Sequence, residues 1–289
     1  MRANLRLSRY ADACGLLDSP ILAALGWGTR LPTYVFCGMP LPGCWNRSPH
    51  LRYDWALGAK EPLGMSMALI QPKQISGELR REVERAAKNH TFIVRTIPDK
   101  FIGNSDEKIL IASMLSLVLE HHGAIIHLFG TGQFDGSALA LVRPLIDSAY
   151  RAHWVYSCAS KDNLVKIREG QDVYPGLINM ATEIEKKVGA GGFFLGVEPY
   201  IKALHGYTHG GLEQLGRRFD ADGDVRPSYR DGEKSEAIRA TTAHLTALTI
   251  AWCQIVSDNT SGDDPNAKSI SDYYSSLYGQ PDSSNLGSR

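Results

Sequence analysis

The segment from Ser105 to Phe129 constrains the fold of this chain more than any other stretch. Ser105 or Asp106 can cap a helix, and Glu107 places a negative charge in the first turn, where the helix dipole favours it. From Ile109 to Leu119 apolar residues cover most of the helix circumference. A helix of this kind is buried on nearly all sides, so we expect it at the centre of the fold.

The overall composition is that of an ordinary globular protein. Of the 289 residues, 43% are hydrophobic and 21% are charged, and the formal net charge is zero. A neutral chain has no whole-molecule attraction to nucleic acid or to an anionic membrane, although a local basic patch remains open. The five cysteines are far apart and lack a C-x-x-C spacing, which favours neither a disulfide framework nor a zinc site.

No membrane-spanning segment is predicted. A span needs about 18 to 20 consecutive apolar residues. The best candidate, Ile109 to Phe129, is interrupted by Glu120 and by the histidines His121, His122 and His127. The N-terminus also lacks the basic start and continuous apolar core of a secretory signal. We therefore predict a cytoplasmic protein that does not associate with a membrane.

Helical periodicity continues along most of the chain after residue 64, and no β-alternating run is present. Further helices are predicted from Gln74, from Ala138 to Ser160, from Lys161 to Glu169, from Leu177 to Val188 and from Gly232 to Ser257. Pro144 lies inside the second of these and should kink it, because proline removes one backbone hydrogen bond. Helices joined by short turns around broad apolar faces predict an all-α helical bundle over residues 65–258.

The two ends of the chain read differently from the bundle. Residues 1–64 are rich in Gly, Pro, Trp and Cys and have no sustained period, which indicates an irregular extension. It is either a small irregular subdomain or sequence upstream of a true start at Met65 or Met67, and we favour the second interpretation. Residues 259–289 are rich in Ser, Asp, Asn and Gly, so a disordered C-terminal tail is predicted there.

The stretch from Tyr200 to Phe219 is the candidate site helix. Its apolar residues are spaced three and four apart, and beside them runs a polar row made of His205, His209, Glu213 and Arg217. Four glycines interrupt the same stretch, at positions 206, 210, 211 and 216, each costing about 1 kcal/mol in a helix relative to alanine. They indicate either the close approach of another chain segment or a ligand, or a local break at 210–211.

A second candidate is the pair Arg143 and Asp147, which the i, i+4 spacing places on one helix face. Flanking apolar residues suggest that the pair is partly buried, and a buried guanidinium needs all of its donors satisfied. Two interpretations stay open. The pair is structural, or it contacts an anion such as a phosphodiester.

Metal and cofactor chemistry is not predicted. His205 and His209 have the i, i+4 spacing of zinc ligands, but Gly206 stands where a zincin carries its glutamate. Asp220, Asp222 and Asp224 resemble the start of a calcium loop, yet Val225 occupies the position of the turn glycine. His209 is then a hydrogen-bonded structural residue, or an acid, base or nucleic-acid contact.

The segments RPLIDSAYR, from Arg143 to Arg151, and LHGYTHGGLEQLGRR, from Leu204 to Arg218, resemble an uncharacterised family of bacterial helical proteins over about residues 65–258. The THGG…Q…RR motif carries this likeness. More remotely, an arginine-bearing helix followed by a helix with a histidine resembles HEPN-type four-helix bundles. That resemblance implies a four-helix core with added helices, a homodimer, and RNA or nucleotide partners.

The resemblance implies two functions. The first is an interaction module of a phage-defence or toxin–antitoxin type. Its cleft is lined by Arg143, Asp147, Tyr207 and His209, with His205, Gln214, Arg217 and Arg218 as further binding residues. The second is a metal-independent ribonuclease, with His209 as general acid or base and Arg143 stabilising the transition-state charge. HEPN ribonucleases carry their Arg and His on one helix, so here the two residues would have to meet from different helices.

Overall fold

A computed structural model describes residues 74–97, 105–218, 228–257 and 264–279, and within these ranges the fold is all-α, without a strand. The predicted fold class is confirmed at that level. The α-helices are α1 (Gly77–Thr96), α2 (Asp106–Thr131), α3 (Asp135–Ser157), α4 (Lys161–Arg168), α5 (Leu177–Val188), α6 (Ile201–Thr208), α7 (Leu212–Gly216), α8 (Asp231–Val256) and α9 (Pro265–Tyr278); a 3-10 helix spans Leu195–Tyr200. The predicted extension 1–64, the Asp220–Asp224 loop and residues 280–289 lie outside the described ranges.

The most enclosed helix of the bundle is α8. It packs against α1, α2, α3 and α9, and most of its 26 residues are buried. Several of these residues are threonines, whose hydroxyls donate to the carbonyl one turn earlier, as Thr249 does to Leu245 at 2.8 Å. Such internal hydrogen bonds allow a polar side chain to be buried without a penalty from an unmet donor.

The helix predicted over Ser105–Phe129 is α2, and the expectation that it is buried on nearly all sides is wrong. Ser105 caps it as predicted, accepting from the Lys108 amide at 3.3 Å. However, Ile109 and Leu117 on its outer side are 41% and 46% exposed. By length and hydropathy α2 is also the one described helix that could cross a membrane, with 33% of its apolar window buried. Core helices of water-soluble proteins pass the same test, so this is weak support for a span.

The prediction of a disordered tail over residues 259–289 is wrong for Pro265–Tyr278, which form α9. Asp264 caps this helix by accepting from the amides of Asn266 and Ala267, both at 2.9 Å, and Pro265 occupies the first turn. Ile270 and Tyr274 then pack against α1 and α8, at 0% and 4% exposure. The composition of the segment hid an amphipathic helix whose few apolar residues share one face.

The candidate site helix is broken into three pieces rather than continuous. The 3-10 helix is followed by α6, which ends at Thr208 with His209 as its C-cap, and Gly210 has a φ of 64°, in the left-handed region. The Gly211 amide then donates back to the Gly206 carbonyl at 2.8 Å. Because the direction changes here, the predicted apolar stripe does not continue, and Leu215 is 54% exposed. Of the two readings of the glycines, the break at 210–211 is observed.

Candidate functional site

One face of α3 supports the candidate site. Gly136, Ala140, Arg143 and Asp147 recur at intervals of four, three and four residues, so they form a single stripe along the helix. The segment α6–α7 lies on this stripe. Gln214 donates to the Gly136 carbonyl at 3.2 Å, and the Thr208 hydroxyl lies 3.4 Å from the Ala140 carbonyl. The two segments therefore run in opposite directions.

Pro144 gives a physical reason for the contact at Ala140. Its ring nitrogen carries no hydrogen, so the carbonyl of Ala140, one turn earlier, loses its usual helical donor. Thr208, whose main acceptor is the Leu204 carbonyl at 2.9 Å, brings a hydroxyl close to this open acceptor. The proline lies inside an α3 that runs unbroken through it, and it frees a carbonyl on the face that α6 covers.

The sequence left open whether Arg143 and Asp147 form a structural pair or contact an anion, and the structure has features of both. Arg143 Nε donates to Asp147 Oδ2 at 2.8 Å, and the two side chains are 17% and 34% exposed. The Nη1 atom of Arg143 is buried and has no hydrogen-bond partner among the described residues. The carboxylate thus fixes the guanidinium, while one of its nitrogens keeps unused donors.

Two exposed histidines complete this group: His205 in α6 and His209 at its C-cap. The rings of His205 and His209 lie 4.4 Å apart between centroids, tilted by 55°. Partial burial, then the neighbouring His209 and Arg143, lower the pKa of His205, and Asp147 opposes them in part. His205 is therefore neutral at pH 7 and lies within electrostatic range of the α3 pair. We call Arg143, Asp147, His205 and His209 the arginine–histidine cluster.

The other residues predicted to bind are found in a different group. Tyr207 is fully buried and hydrogen-bonds to Arg217, which donates from Nη2 to Glu233 Oε1 at 2.8 Å. Burial opposes the charge of Arg217, but Tyr207 and Glu233 raise its pKa overall. Arg218 is exposed. These contacts fasten the end of α7 to the beginning of α8.

The same region contains buried charges that the sequence did not reveal. Lys234 is 0% exposed, and its Nζ lies 2.7 Å from Asp135 Oδ2 and 3.0 Å from Asp231 Oδ1. The carboxylate of Asp231 also accepts from the Ser76 amide at 2.8 Å, which ties in the start of α1. We call Asp135, Asp231, Glu233, Lys234 and Arg217 the helix-start network. Only the i, i+3 spacing of Asp231 and Lys234 was visible in the sequence.

Two pairs of histidines inside the bundle were also missed. His122 Nδ1 lies 3.1 Å from His90 Nδ1, and its Nε2 lies 2.9 Å from the Thr242 hydroxyl. The Thr242 hydroxyl donates its one hydrogen to the Ile238 carbonyl at 2.6 Å, so it accepts from His122 Nε2. In this tautomer His122 Nδ1 carries no hydrogen and accepts from His90 Nδ1. His153 and His244 form the other pair, and both lie against Phe194 or Phe193.

No metal centre is evident in the part of the chain that the structure describes. There, no group of three or more His, Cys, Asp or Glu side chains is arranged to hold an ion. Cys158 and Cys253, the two cysteines in the described ranges, do not form a disulfide. The chemistry on offer is that of a guanidinium, a carboxylate and imidazoles, which suits anion binding and proton transfer.

The chain belongs to a protein family described as "Family of unknown function (DUF6988)", whose profile matches residues 115–278. The match begins inside α2 and ends with α9, so it includes both groups of polar residues and the C-terminal helix. It lies later in the chain than the predicted range of about 65–258. Comparisons with curated proteins and with solved structures found no significant match.

Proposed function

We propose that the protein is a helical interaction module that binds a phosphate-bearing partner, RNA or a nucleotide, at the arginine–histidine cluster. The observation that carries the proposal is the state of Arg143. Its guanidinium is held by Asp147, and Nη1 keeps donors for which the described residues offer no acceptor. An oriented guanidinium fork matches the geometry of phosphate oxygens.

The histidines strengthen this assignment. His205 and His209 are exposed and in ring contact, and His205 lies within electrostatic range of Arg143. An imidazole nitrogen can donate or accept a hydrogen bond to a ligand here. A bound phosphate would favour the protonated form of His205, so affinity is expected to rise as the pH falls towards the lowered pKa of this residue. Arg143 and Asp147 lie on α3 and His205 lies on α6, so helices hold these three side chains in position.

The experiment is a binding titration with a labelled single-stranded RNA and with UMP. Arg143→Gln should weaken binding about 10- to 100-fold, the cost of losing a hydrogen-bonded charge contact. Arg151→Gln is the matched control, because Arg151 lies on the same helix and its guanidinium stacks on Tyr174 at 4.5 Å. Equal affinity of the Arg143→Gln protein and the wild type, with both folded, would overturn the proposal.

The alternative is a metal-independent ribonuclease in which His209 acts as general acid or base and Arg143 stabilises the phosphate in the transition state. What favours it is His205, the cluster member in ring contact with His209, because an unprotonated imidazole can accept a proton at pH 7. Incubation with RNA in excess EDTA tests it. Cleavage that His209→Ala abolishes while RNA binding persists would support the enzyme, and no cleavage by the wild type would exclude it.

The HEPN-like resemblance adds a biological context to the proposal: a component of phage defence or of a toxin–antitoxin pair that acts as a homodimer in the cytoplasm. The exposed apolar residues Ile109 and Leu117 on α2 offer a surface for self-association. Light scattering on the purified protein gives its mass in solution. Phage plating on cells carrying the wild type or Arg143→Gln tests the role in defence.

A further inference from the structure

We infer that the N-terminus of α3 is a second anion-binding position, and that the ligand is therefore an oligonucleotide strand whose phosphates reach both positions. The inference rests on the proposed function for the chemical class of the ligand. It adds a new site, made by Tyr229, Arg218 and the first-turn amides of α3, and it excludes a mononucleotide as the full ligand.

The beginning of α3 is an uncapped helix N-terminus. Its N-cap position is Phe134, which provides no side-chain hydrogen bond to the first turn. The amides of residues 135 to 137 precede the first intrahelical bond, which Ala138 makes to Phe134 at 3.0 Å. In a helix of 23 residues these amides also carry the positive end of the helix dipole, which favours a bound anion.

Tyr229 is the second and independent observation. Its side chain is 1% exposed, and its hydroxyl has no hydrogen-bond partner among the described residues. The hydroxyl points at the first turn of α3, where it lies 2.8 Å from the position of a Cβ on Gly136. A buried phenol without an acceptor is costly, and an anion oxygen bound at this turn would accept from it.

Arg218 supplies the positive charge at this position. Its Nη2 lies 3.1 Å from the position that a Cβ on Gly136 would occupy, and its side chain is exposed. In the described ranges it has no salt bridge, whereas Arg217 and Lys234 next to it are both paired with carboxylates. Asp135, in the same turn, is paired through Oδ2 with Lys234 Nζ at 2.7 Å, while its Oδ1 is buried without a hydrogen-bond partner among the described residues. Gly136 lets the phenol and the guanidinium approach the backbone closely.

The spacing of the two positions determines the size of the ligand. Gly136 and Arg143 are seven residues apart on one face of α3, which corresponds to about 10 Å at 1.5 Å per residue. Between them the outer surface of the α6–α7 segment exposes His209 and Gly210. One phosphate group is too small to reach both ends of this path. A strand with several phosphates can contact Arg143 and Arg218 together.

The test compares UMP with single-stranded oligouridylates of two, four and eight nucleotides, by calorimetry and fluorescence anisotropy. Arg218→Gln and Tyr229→Phe should each weaken binding of the longer strands about 10-fold and leave UMP binding unchanged. Arg218→Gln should also make the slope of log K against log salt shallower by about 0.7, the value for one phosphate contact on a single strand. Arg151→Gln is again the control, and thermal melting verifies that Tyr229→Phe is folded.

Each outcome separates the inference from the proposed function. If Arg143→Gln weakens every ligand but Arg218→Gln and Tyr229→Phe weaken none, the second position is overturned and the proposed function stands. If only Arg218→Gln and Tyr229→Phe have an effect, the anion position at α3 stands and the assignment to the arginine–histidine cluster fails. If the wild type binds neither UMP nor any oligonucleotide, both are overturned.

Discussion

The Nζ atom of Lys234 lies 2.7 Å from Oδ2 of Asp135, and both side chains are buried. This contact joins the first turns of α3 and α8, and Asp231 extends it to the start of α1 through the Ser76 amide. Three helix starts are thus joined at one end of the bundle, α3 to α8 by an ion pair and α8 to the start of α1 by a backbone hydrogen bond to a carboxylate. Charges in such a place are stabilising only while each keeps its partner.

Lys234→Met should destabilise the protein by about 3–5 kcal/mol, because it leaves Asp135 buried without a counter-charge. Urea unfolding monitored by circular dichroism measures the change. The double variant Lys234→Met/Asp135→Leu should recover much of the loss. The exposed pair of Lys268 and Asp272 is the control, since Lys268→Met should change stability by no more than about 0.5 kcal/mol. A loss as small for Lys234→Met would mean that the pair is not buried in solution.

Gly136→Ala should destabilise the protein although it lies in a helix, where alanine is normally favoured over glycine by about 1 kcal/mol. The new Cβ would lie 2.8 Å from the Tyr229 hydroxyl and 3.1 Å from Arg218 Nη2. The buried phenol cannot move away easily, so Tyr229→Phe should restore part of the lost stability. Gly232→Ala in α8 is the matched control, because its Cβ would meet nothing within 4 Å. If both variants were stabilising, the close approach to Gly136 would be refuted.

Acid should unfold the protein through its buried histidines. Burial, with a smaller contribution from a neighbouring histidine, lowers the pKa of His122 and of His153 to about 3, and burial lowers that of His244 to about 4. The unfolded chain binds these protons near pH 6.5, so the folded state is fully favoured above that pH and loses stability as the pH falls from 6.5 towards 4. Each histidine adds a slope of up to about 1.4 kcal/mol per pH unit.

The unfolding free energy at pH 7.5, 6.0 and 5.0 measures this effect. His153→Leu removes one of the three groups, so the loss between pH 6.0 and 5.0 should be smaller by up to about 1.4 kcal/mol. As a control, His127→Leu at an exposed position should change the unfolding free energy at pH 7.5 by no more than about 0.5 kcal/mol. Identical pH dependence of the His153→Leu protein and the wild type would contradict the prediction, because it would mean that His153 binds its proton equally well in the folded and the unfolded state.

Ile270→Ala should cost about 2–5 kcal/mol, the usual range for a large-to-small change at a buried position. Ile270 is 0% exposed, between α9 and the rest of the bundle. Ser276→Ala, on the exposed side of the same helix, should change stability by less than about 0.5 kcal/mol. An Ile270→Ala protein as stable as the wild type would indicate that α9 is not packed in solution.

The sequence determined the helices where local physics is enough. Leu177–Val188 was predicted to the residue, because a three-to-four apolar repeat ends at Gly189 with a φ of 67°. The Arg143–Asp147 contact followed from the i, i+4 spacing alone. The glycines at 210–211 indicated either a close approach of another segment or a break in the helix, and the helix does break at Gly210.

Only the tertiary structure decided which residues meet from distant parts of the chain. Lys234 and Asp135, Tyr229 and Gly136, and His205 and the Arg143 pair are brought together by helix packing, which no local spacing encodes. The same packing buries α8 rather than α2 and orders α9 against two helices that precede it. Periodicity defines the apolar face of each helix, but the energy of burial depends on which faces are matched, and that is a property of the whole chain.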